Sequence, residues 1–221
     1  MGKRHLADDE AQMRSEAQPL ILELDSALSR ATGAWRNTTL RRLTDLFLVD
    51  AASYTEDQVG VFDDVISRLL EKVDRKVLIE LASRLAEIDN APANVVRTLA
   101  RHSDMQVAAP LIERSSVLTD ADLAEIADRD RRDPAVLAMI AARPQQLSAA
   151  VTDVLIRRGN TALAHKILER PDAVISESSF ARMVTSVGTD KEFATAIAKR
   201  EDLPEELRPW LDVALGGGGA S

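Results

Sequence analysis

The chain has 221 residues, of which 45% are apolar, 29% are charged and only 3% are aromatic, and its formal net charge is −8. The acidic balance disfavours binding to nucleic-acid phosphate or to an anionic membrane surface. The absence of cysteine excludes disulfides, thiolate nucleophiles and thiolate metal ligands. Because Ala, Leu, Val and Ile dominate the apolar residues while Gly and Pro are scarce, the composition predicts an all-α protein.

Neither a membrane span nor a secretory leader is predicted. No stretch approaches the roughly 18 consecutive apolar residues that a transmembrane helix needs. Near the N-terminus, Lys3 and Arg4 are followed by acidic residues where a signal peptide has its apolar core. We therefore expect a cytoplasmic protein.

The first part of the chain predicts a polar start followed by helices. Residues 1–17 are polar and aperiodic, which favours disorder. Pro19 can open a first helix, and a second helix follows it, so residues 18–54 are predicted to be N-terminal capping helices. Thr55 and Gln58 form the capping-box pattern that opens a third helix. The apolar stripes of these three helices are Leu20, Ile21, Leu24 and Leu28; Leu40, Leu43, Leu46 and Phe47; and Val59, Phe62, Val65, Ile66 and Leu69.

From residue 74 onwards, related segments recur every 27–30 residues. Each segment starts with Asp or Asn, which are preferred N-caps, has apolar fourth and eighth residues, and ends in Arg. A second set of candidate helices lies between them. The first set starts at Asp74, Asp104, Asp133, Asn160 and Asp190 and ends at Arg84, Arg114, Arg143, Arg170 and Arg200; the second set starts at Pro92, Thr119, Ser148 and Ser176. The predicted core residues are Val77, Leu81, Val107, Leu111, Val136, Ile140, Leu163, Ile167, Phe193 and Ile197.

This periodicity predicts the fold. A helix of about 11 residues cannot bury its apolar face alone, whereas stacked helix pairs build a continuous core. We therefore predict an α-solenoid of antiparallel helix pairs over residues 55–215, followed by a flexible glycine-rich tail at residues 216–221. Pro110 and Pro209 fall within predicted helices, where each proline either kinks the helix or marks a later start.

The repeated arginines have two interpretations. They can form a binding ladder for an acidic partner. Alternatively they are structural: each Arg suits the negative end of its own helix, just as each Asp caps the start, and stacking brings one Arg beside the Asp of the next repeat. The capping chemistry favours the structural interpretation.

The chain resembles a known bacterial family. The stretch Leu40–Val77, the run Val107–Leu123, and the helix ends at Arg143-Pro144 and Arg170-Pro171 resemble the family called domain of unknown function 2336, over about residues 36–205. Members of that family are similar to HEAT-like and leucine-rich-variant helical repeats. The resemblance implies a helical-repeat fold and supplies no activity, cofactor or catalytic residue.

No catalytic, cofactor or metal site is predicted. The three histidines include no pair at i and i+4, and no phosphate-binding glycine loop is present. His165 lies mid-helix and leaves open a histidine phosphotransfer function, although a partly exposed surface histidine is the simpler interpretation. Arg129, Arg131 and Arg132 are the densest basic cluster, but interleaved aspartates cancel most of its field.

The sequence thus favours a non-enzymatic scaffold or regulatory domain that binds another protein, with no cofactor. Nucleic-acid binding by a HEAT-like groove is an alternative that the acidic balance disfavours, and histidine phosphotransfer is a further alternative. Arg97 and Lys166 are the predicted partner contacts, because they are polar positions on repeat helices. The identity of the partner and the oligomeric state stay open.

Overall fold

The computed structural model describes residues 32–129 and 134–215, and over these ranges the chain forms helices and no strand. The prediction of an all-α protein is therefore confirmed. The predicted disorder of residues 1–17, the predicted first helix opened by Pro19 and the predicted tail at residues 216–221 lie outside the described residues. The chain divides into two compact units, of which the first ends at Leu81 and the second begins at Ala82.

Twelve α-helices lie within the described residues, and the regions around Ala51–Ser53 and Glu205–Leu207 form short 3-10 helices. The α-helices are α1 Gly33–Val49, α2 Glu56–Leu69, α3 Arg75–Leu85, α4 Ala93–Ala100, α5 Met105–Arg114, α6 Asp120–Arg129, α7 Pro134–Ala141, α8 Ala149–Arg158, α9 Thr161–Leu168, α10 Glu177–Ser186, α11 Lys191–Ala198 and α12 Arg208–Leu215.

In the first unit, α1 packs on α2. The predicted capping box opens α2: the Gln58 backbone N–H donates to the Thr55 hydroxyl, and the Thr55 backbone N–H donates to the Gln58 side chain. The buried ring of Phe47 lies 5.1 Å from the ring of Phe62, edge to face, which ties the two helices together.

In the second unit, two alternating types of helix pack in series. The first-set helices of this unit are α5, α7, α9 and α11, and the second-set helices are α4, α6, α8, α10 and α12. Helix α3 is also of the first set, but most of it belongs to the first unit. Along the first set α5 packs on α7, α7 on α9, and α9 on α11; along the second set α6 packs on α8, and α8 on α10. Helices of the two sets also contact each other, as α7 does with both α6 and α8.

The predicted core is confirmed, because all ten residues at the matched repeat positions are buried. Val107, Leu111 and Ile167 have no exposed surface at all. The fourth and eighth positions of each first-set segment lie one turn apart on one helix face, so the period of the sequence places them together between the two sets.

Most predicted helix starts are also N-caps in the structure. Asn160 and Asp190 accept the backbone N–H three residues on, and Asp104 accepts the N–H of Gln106. Asp133 lies outside the described residues. Ser148 occupies the N-cap position of α8 but makes no side-chain cap bond, and its hydroxyl is buried without a partner. Each bonded cap satisfies one of the free N–H groups of a first turn.

The two prolines have different outcomes. Pro110 lies inside α5, as the helix prediction requires. Pro209 is the second residue of α12, so for this proline the alternative of a later helix start is correct. A proline in the first turn removes no intrahelical hydrogen bond, since those N–H groups have no partner there.

Candidate partner-binding surface

The repeated arginines bind the end of the preceding first-set helix. Arg143 donates to the carbonyl oxygen of Ile112 and, over 2.7 Å, to that of Ser115, which is the C-cap of α5. Arg170 donates over 2.9 Å to the carbonyl of Ala141, the last residue of α7. These bonds fill carbonyls that a helix leaves unpaired at its C-terminus.

Arg200 repeats the same contact one segment later. It donates to the carbonyl oxygens of Arg170 and Ala173, over 2.6 and 2.9 Å, just after α9. The interpretation that each Arg serves the end of its own helix is therefore wrong for these three residues. Each of them reaches back one repeat, and three guanidinium groups link four successive first-set segments.

The charge of these arginines is balanced in two ways. Arg143 is 3% exposed, and burial lowers the pKa of its guanidinium from the usual range, against the opposing effect of the negative charge of Asp120. The carbonyl ends of the helices supply partial negative charge to it. Arg170 is balanced by a carboxylate, because it also donates to Asp172. This hydrogen bond lowers the pKa of Asp172 by more than burial raises it, so the pKa lies below its usual value.

On the second-set helices, charged side chains pair with one another across repeats. Asp122 on α6 is buried and accepts from Arg97 on α4 over 3.0 Å and from Arg101, the C-cap of α4, over 2.8 Å. Thr119, the residue before α6, donates its hydroxyl to the same carboxylate over 2.7 Å. Burial alone would raise the pKa of Asp122, but the hydrogen bonds from Thr119 and Arg97 bring it below its usual value.

This pairing continues along the same helices. Arg101 also pairs with Glu125 over 2.7 Å. Asp128 on α6 accepts from Arg157 over 3.1 Å and from Arg158, both on α8. We call the surface formed by these side chains of α4, α6 and α8 the paired face. Its charges are largely used within the protein.

The exposed side of α7, α9 and α11 is different. A groove of about 510 Å³ lies between α7 and α9, and a second groove of about 650 Å³ lies between α9 and α11. Small residues form much of their walls, namely Ala138, Ala141 and Ala142 in the first groove and Ala162 and Ala196 in the second. We call this surface the open face.

The charged side chains that line these grooves are of two kinds. Arg170 pairs with Asp172 at the first groove, and Arg200 at the second groove pairs with Asp202, whereas four other charged residues are unpaired. Lys166 lines the first groove, and Glu169, Glu192 and Lys199 line the second. All four are exposed, and among the described residues none of them forms an ion pair. His165 also lines the second groove, half-buried, with its ring 4.9 Å from that of Phe193. The open face therefore presents free charges of both signs.

The structure separates the two predicted partner contacts. Lys166 lies on the open face, exposed and unpaired in the part of the chain that is described. Arg97 lies on the paired face, bound to Asp122. Of the predicted basic cluster, Arg129 lies 3.5 Å from Glu125, whereas Arg131 and Arg132 lie outside the described residues.

Sequence reasoning missed Asp122 and Asp153. Asp153 on α8 accepts from the hydroxyls of Ser176 and Ser179, each over 2.6 Å. The pattern from Thr119 to Asp122 is a recognisable capping signal. No comparable signal marks Asp153, because its partners belong to the start of the next second-set helix.

Neither a metal site nor a membrane-spanning helix is found within the described ranges. Over residues 32–129 and 134–215, no group of three His, Asp or Glu side chains is placed to hold a metal ion. Over the same residues, no helix has the length and apolar character needed to cross a membrane.

Comparison with known proteins finds a family that resembles part of the second unit. The model of the family described as an uncharacterised protein conserved in bacteria (DUF2336) matches residues 107–215, so this stretch of the chain is similar to that family. The match confirms the resemblance and starts after the stretch Leu40–Val77. No curated protein and no solved structure matches the chain.

Proposed function

We propose that the second unit is a HEAT-like α-solenoid of antiparallel helix pairs that binds another protein in the cytoplasm and catalyses no reaction. The serial packing within each helix set and the period of 27–30 residues support the solenoid. Such stacks offer long surfaces, and binding another protein is their common use.

The observation that carries this proposal is the difference between the two faces. A partner needs side chains that can exchange water for new contacts, and a side chain already held in an ion pair is less free to do so. On the open face Lys166, Glu169 and Lys199 are exposed and unpaired beside grooves walled by alanine. Mixed free charge around shallow apolar grooves suits a protein surface better than the uniformly negative backbone of DNA.

The test uses charge reversal on the open face. The purified protein captures its partner from the cytoplasm of the native bacterium, and the recovered partner is then purified for titration calorimetry. We expect the double substitution Lys166→Glu and Lys199→Glu to weaken binding by roughly tenfold or more, since reversed charges oppose the complementary partner.

A matched control lies on α10. Arg182 is exposed and forms no ion pair among the described residues, so Arg182→Glu makes on a second-set helix the same charge reversal that each of the two lysine substitutions makes singly. Its effect should stay under roughly twofold. An equal loss of partner affinity in the Arg182→Glu protein and in the doubly substituted protein would contradict the assignment of the open face as the binding surface. Sub-micromolar DNA binding at physiological salt that is lost when Arg129, Arg131 and Arg132 become Ala would favour the nucleic-acid alternative instead.

A further inference from the structure

A third surface lies between α10 and α12. A groove of about 630 Å³ separates these two second-set helices, whereas the preceding second-set neighbours, α6 with α8 and α8 with α10, pack directly on each other. The walls of this groove are mainly apolar: Ala181, Val184 and Val187 come from the α10 side and Leu207, Trp210 and Val213 from the α12 side. We call it the α10–α12 groove.

Two large apolar side chains stand exposed at this groove. Trp210 is 69% exposed and Val213 is 71% exposed. They occupy the sixth and ninth places after Pro204, which corresponds to the N-cap of the other second-set helices. The same two places hold Glu125 and Asp128 in α6, Val154 and Arg157 in α8, and Arg182 and Thr185 in α10.

The comparison of these places shows a local change in the repeat. In α6 and α8 they include the ion-paired residues Glu125, Asp128 and Arg157 of the paired face. In α12 both places are apolar, and here the short 3-10 helix Glu205–Leu207 precedes the α-helix, which begins at Arg208. Exposed tryptophan is a common centre of binding energy at protein interfaces, because it removes much apolar area from water in one contact.

The groove also has a defined charge. Lys191 is its one charged lining residue, at the start of α11, and it is exposed and unpaired within the described residues. A ligand that fills this groove therefore needs an apolar side for the wall and a carboxylate for Lys191. Since two helices form the walls, the shape is that of a helix-in-groove site, which takes apolar anchors at i, i+4 and i+7.

We propose that the α10–α12 groove binds an acidic amphipathic helix of a partner protein, anchored on Trp210. This inference extends the proposed function to a second surface and names the chemistry of the partner. The groove and the open face are separate, and substitutions at Trp210 and at Lys166 address them one at a time.

The test selects, from a displayed library of random 16-residue peptides, those that bind the purified full chain. Peptides that also bind the Trp210→Ala protein are removed, because they do not depend on the groove. We expect the surviving peptides to have apolar residues at helical spacing and a net negative charge. Their affinities are then measured by fluorescence anisotropy with synthetic peptides, and circular dichroism checks that each variant keeps its helix content.

Trp210→Ala and Val213→Asp should each weaken binding by roughly tenfold or more, because both remove apolar contact area from the anchor. Lys191→Glu should weaken the binding of acidic peptides and strengthen the binding of peptides in which Lys replaces the acidic residue. Lys166→Glu should change the affinity for either kind of peptide by less than roughly twofold. Selected peptides without helical apolar spacing, with net positive charge, or with equal affinity for the Trp210→Ala protein would overturn the inference.

The two proposals fail independently. Loss of the cytoplasmic partner on charge reversal at Lys166 and Lys199, together with a failed peptide selection, supports the open face and removes the α10–α12 groove. A successful peptide selection, together with unchanged binding of the cytoplasmic partner on charge reversal at Lys166 and Lys199, supports the α10–α12 groove and removes the open face.

Discussion

The paired face and the open face belong to the same helical stack but use charge in opposite ways. On the paired face, Asp122 and Asp128 each bind two arginines from a neighbouring second-set helix. On the open face, Lys166 on α9 and Glu169, the C-cap of α9, remain unpaired within the described residues. The carboxylates of the second set thus link its helices through ion pairs, whereas the first set links its repeats through arginines bound to backbone carbonyls and leaves Lys166 and Glu169 unpaired within the described residues.

This difference distinguishes side chains that contribute to stability from those to which we assign partner binding in our proposal. Exposed ion pairs contribute only about 0–1 kcal/mol each, so most pairs of the paired face matter little to the free energy of unfolding. Asp122 is different because it is buried and bound by several donors. Arg143 is also a buried link, and Arg143, Arg170 and Arg200 each bind carbonyls at or near the end of the preceding first-set helix.

The largest expected effect is on this arginine link. Arg143→Met keeps a long side chain but leaves the carbonyls of Ile112 and Ser115 without their donor. We expect the free energy of unfolding to fall by about 2–4 kcal/mol, since hydrogen bonds from a charged donor to buried acceptors are lost. The free energy of unfolding is measured by urea titration, followed by the fluorescence of Trp210. Trp35, the other tryptophan, is changed to Phe so that the signal reports the second unit alone.

A matched control is available in the preceding repeat. Arg114 occupies the same repeat position, but its side chain is 45% exposed and lies 3.7 Å from Glu87. Arg114→Met should cost less than about 0.5 kcal/mol, as for other exposed pairs. Equal destabilisation by the two substitutions would show that the contact with the preceding helix end is not what makes Arg143 important.

The sequence predicts features of this fold that depend on local spacing. The capping box of Thr55 and Gln58 and the burial of Val107 and Leu111 follow from three- and four-residue separations on one helix. These features are fixed within a single element, so one sequence suffices to predict them. The two-unit division at Leu81 has no such local signal.

Features that depend on how one repeat meets the next could not be predicted in the same way. Arg143 and Ile112 are 31 residues apart, and Arg97 and Asp122 are 25 apart, so their contacts depend on the stacking of helices. Trp210 could have been found, because extending the second-set alignment to Pro204 places apolar residues at both places, whereas α6, α8 and α10 have a polar or charged residue at one or both of them. The open face required knowledge of which charges are paired.

A smaller effect, with a defined pH dependence, is expected at Asp122. Asp122→Asn keeps the shape and removes the charge that Arg97 and Arg101 share, so it should cost about 1–3 kcal/mol near pH 7. The pKa of Asp122 is lower in the folded than in the unfolded protein, whose carboxyl has a pKa of about 3.9. The stabilisation is therefore present above roughly pH 5 and is lost as the pH falls towards the folded-state pKa.

The measurement for Asp122 is the difference in unfolding free energy between the wild type and Asp122→Asn, taken from urea titrations across this pH range. The difference should shrink as the pH decreases from about 5. Asp212 is exposed and has no ion pair within the described residues, so Asp212→Asn should stay within about 0.5 kcal/mol. A difference for Asp122→Asn that grows in acid would contradict the assigned hydrogen bonds.

The smallest effect is expected on the open face, and it completes the comparison. Lys166→Ala and Lys199→Ala remove exposed cations that have no partner in the described residues, so each should change the free energy of unfolding by less than about 0.5 kcal/mol. Alanine is also the better helix former, which offsets any lost contact along the side-chain stem. Urea unfolding under the conditions used for Arg143→Met makes the values comparable. A surface residue that acts only in recognition should leave stability unchanged when it is removed. A loss of more than about 1 kcal/mol of unfolding free energy at either lysine would therefore mean that the residue supports the fold. Its effect on partner binding could then no longer be assigned to direct contact.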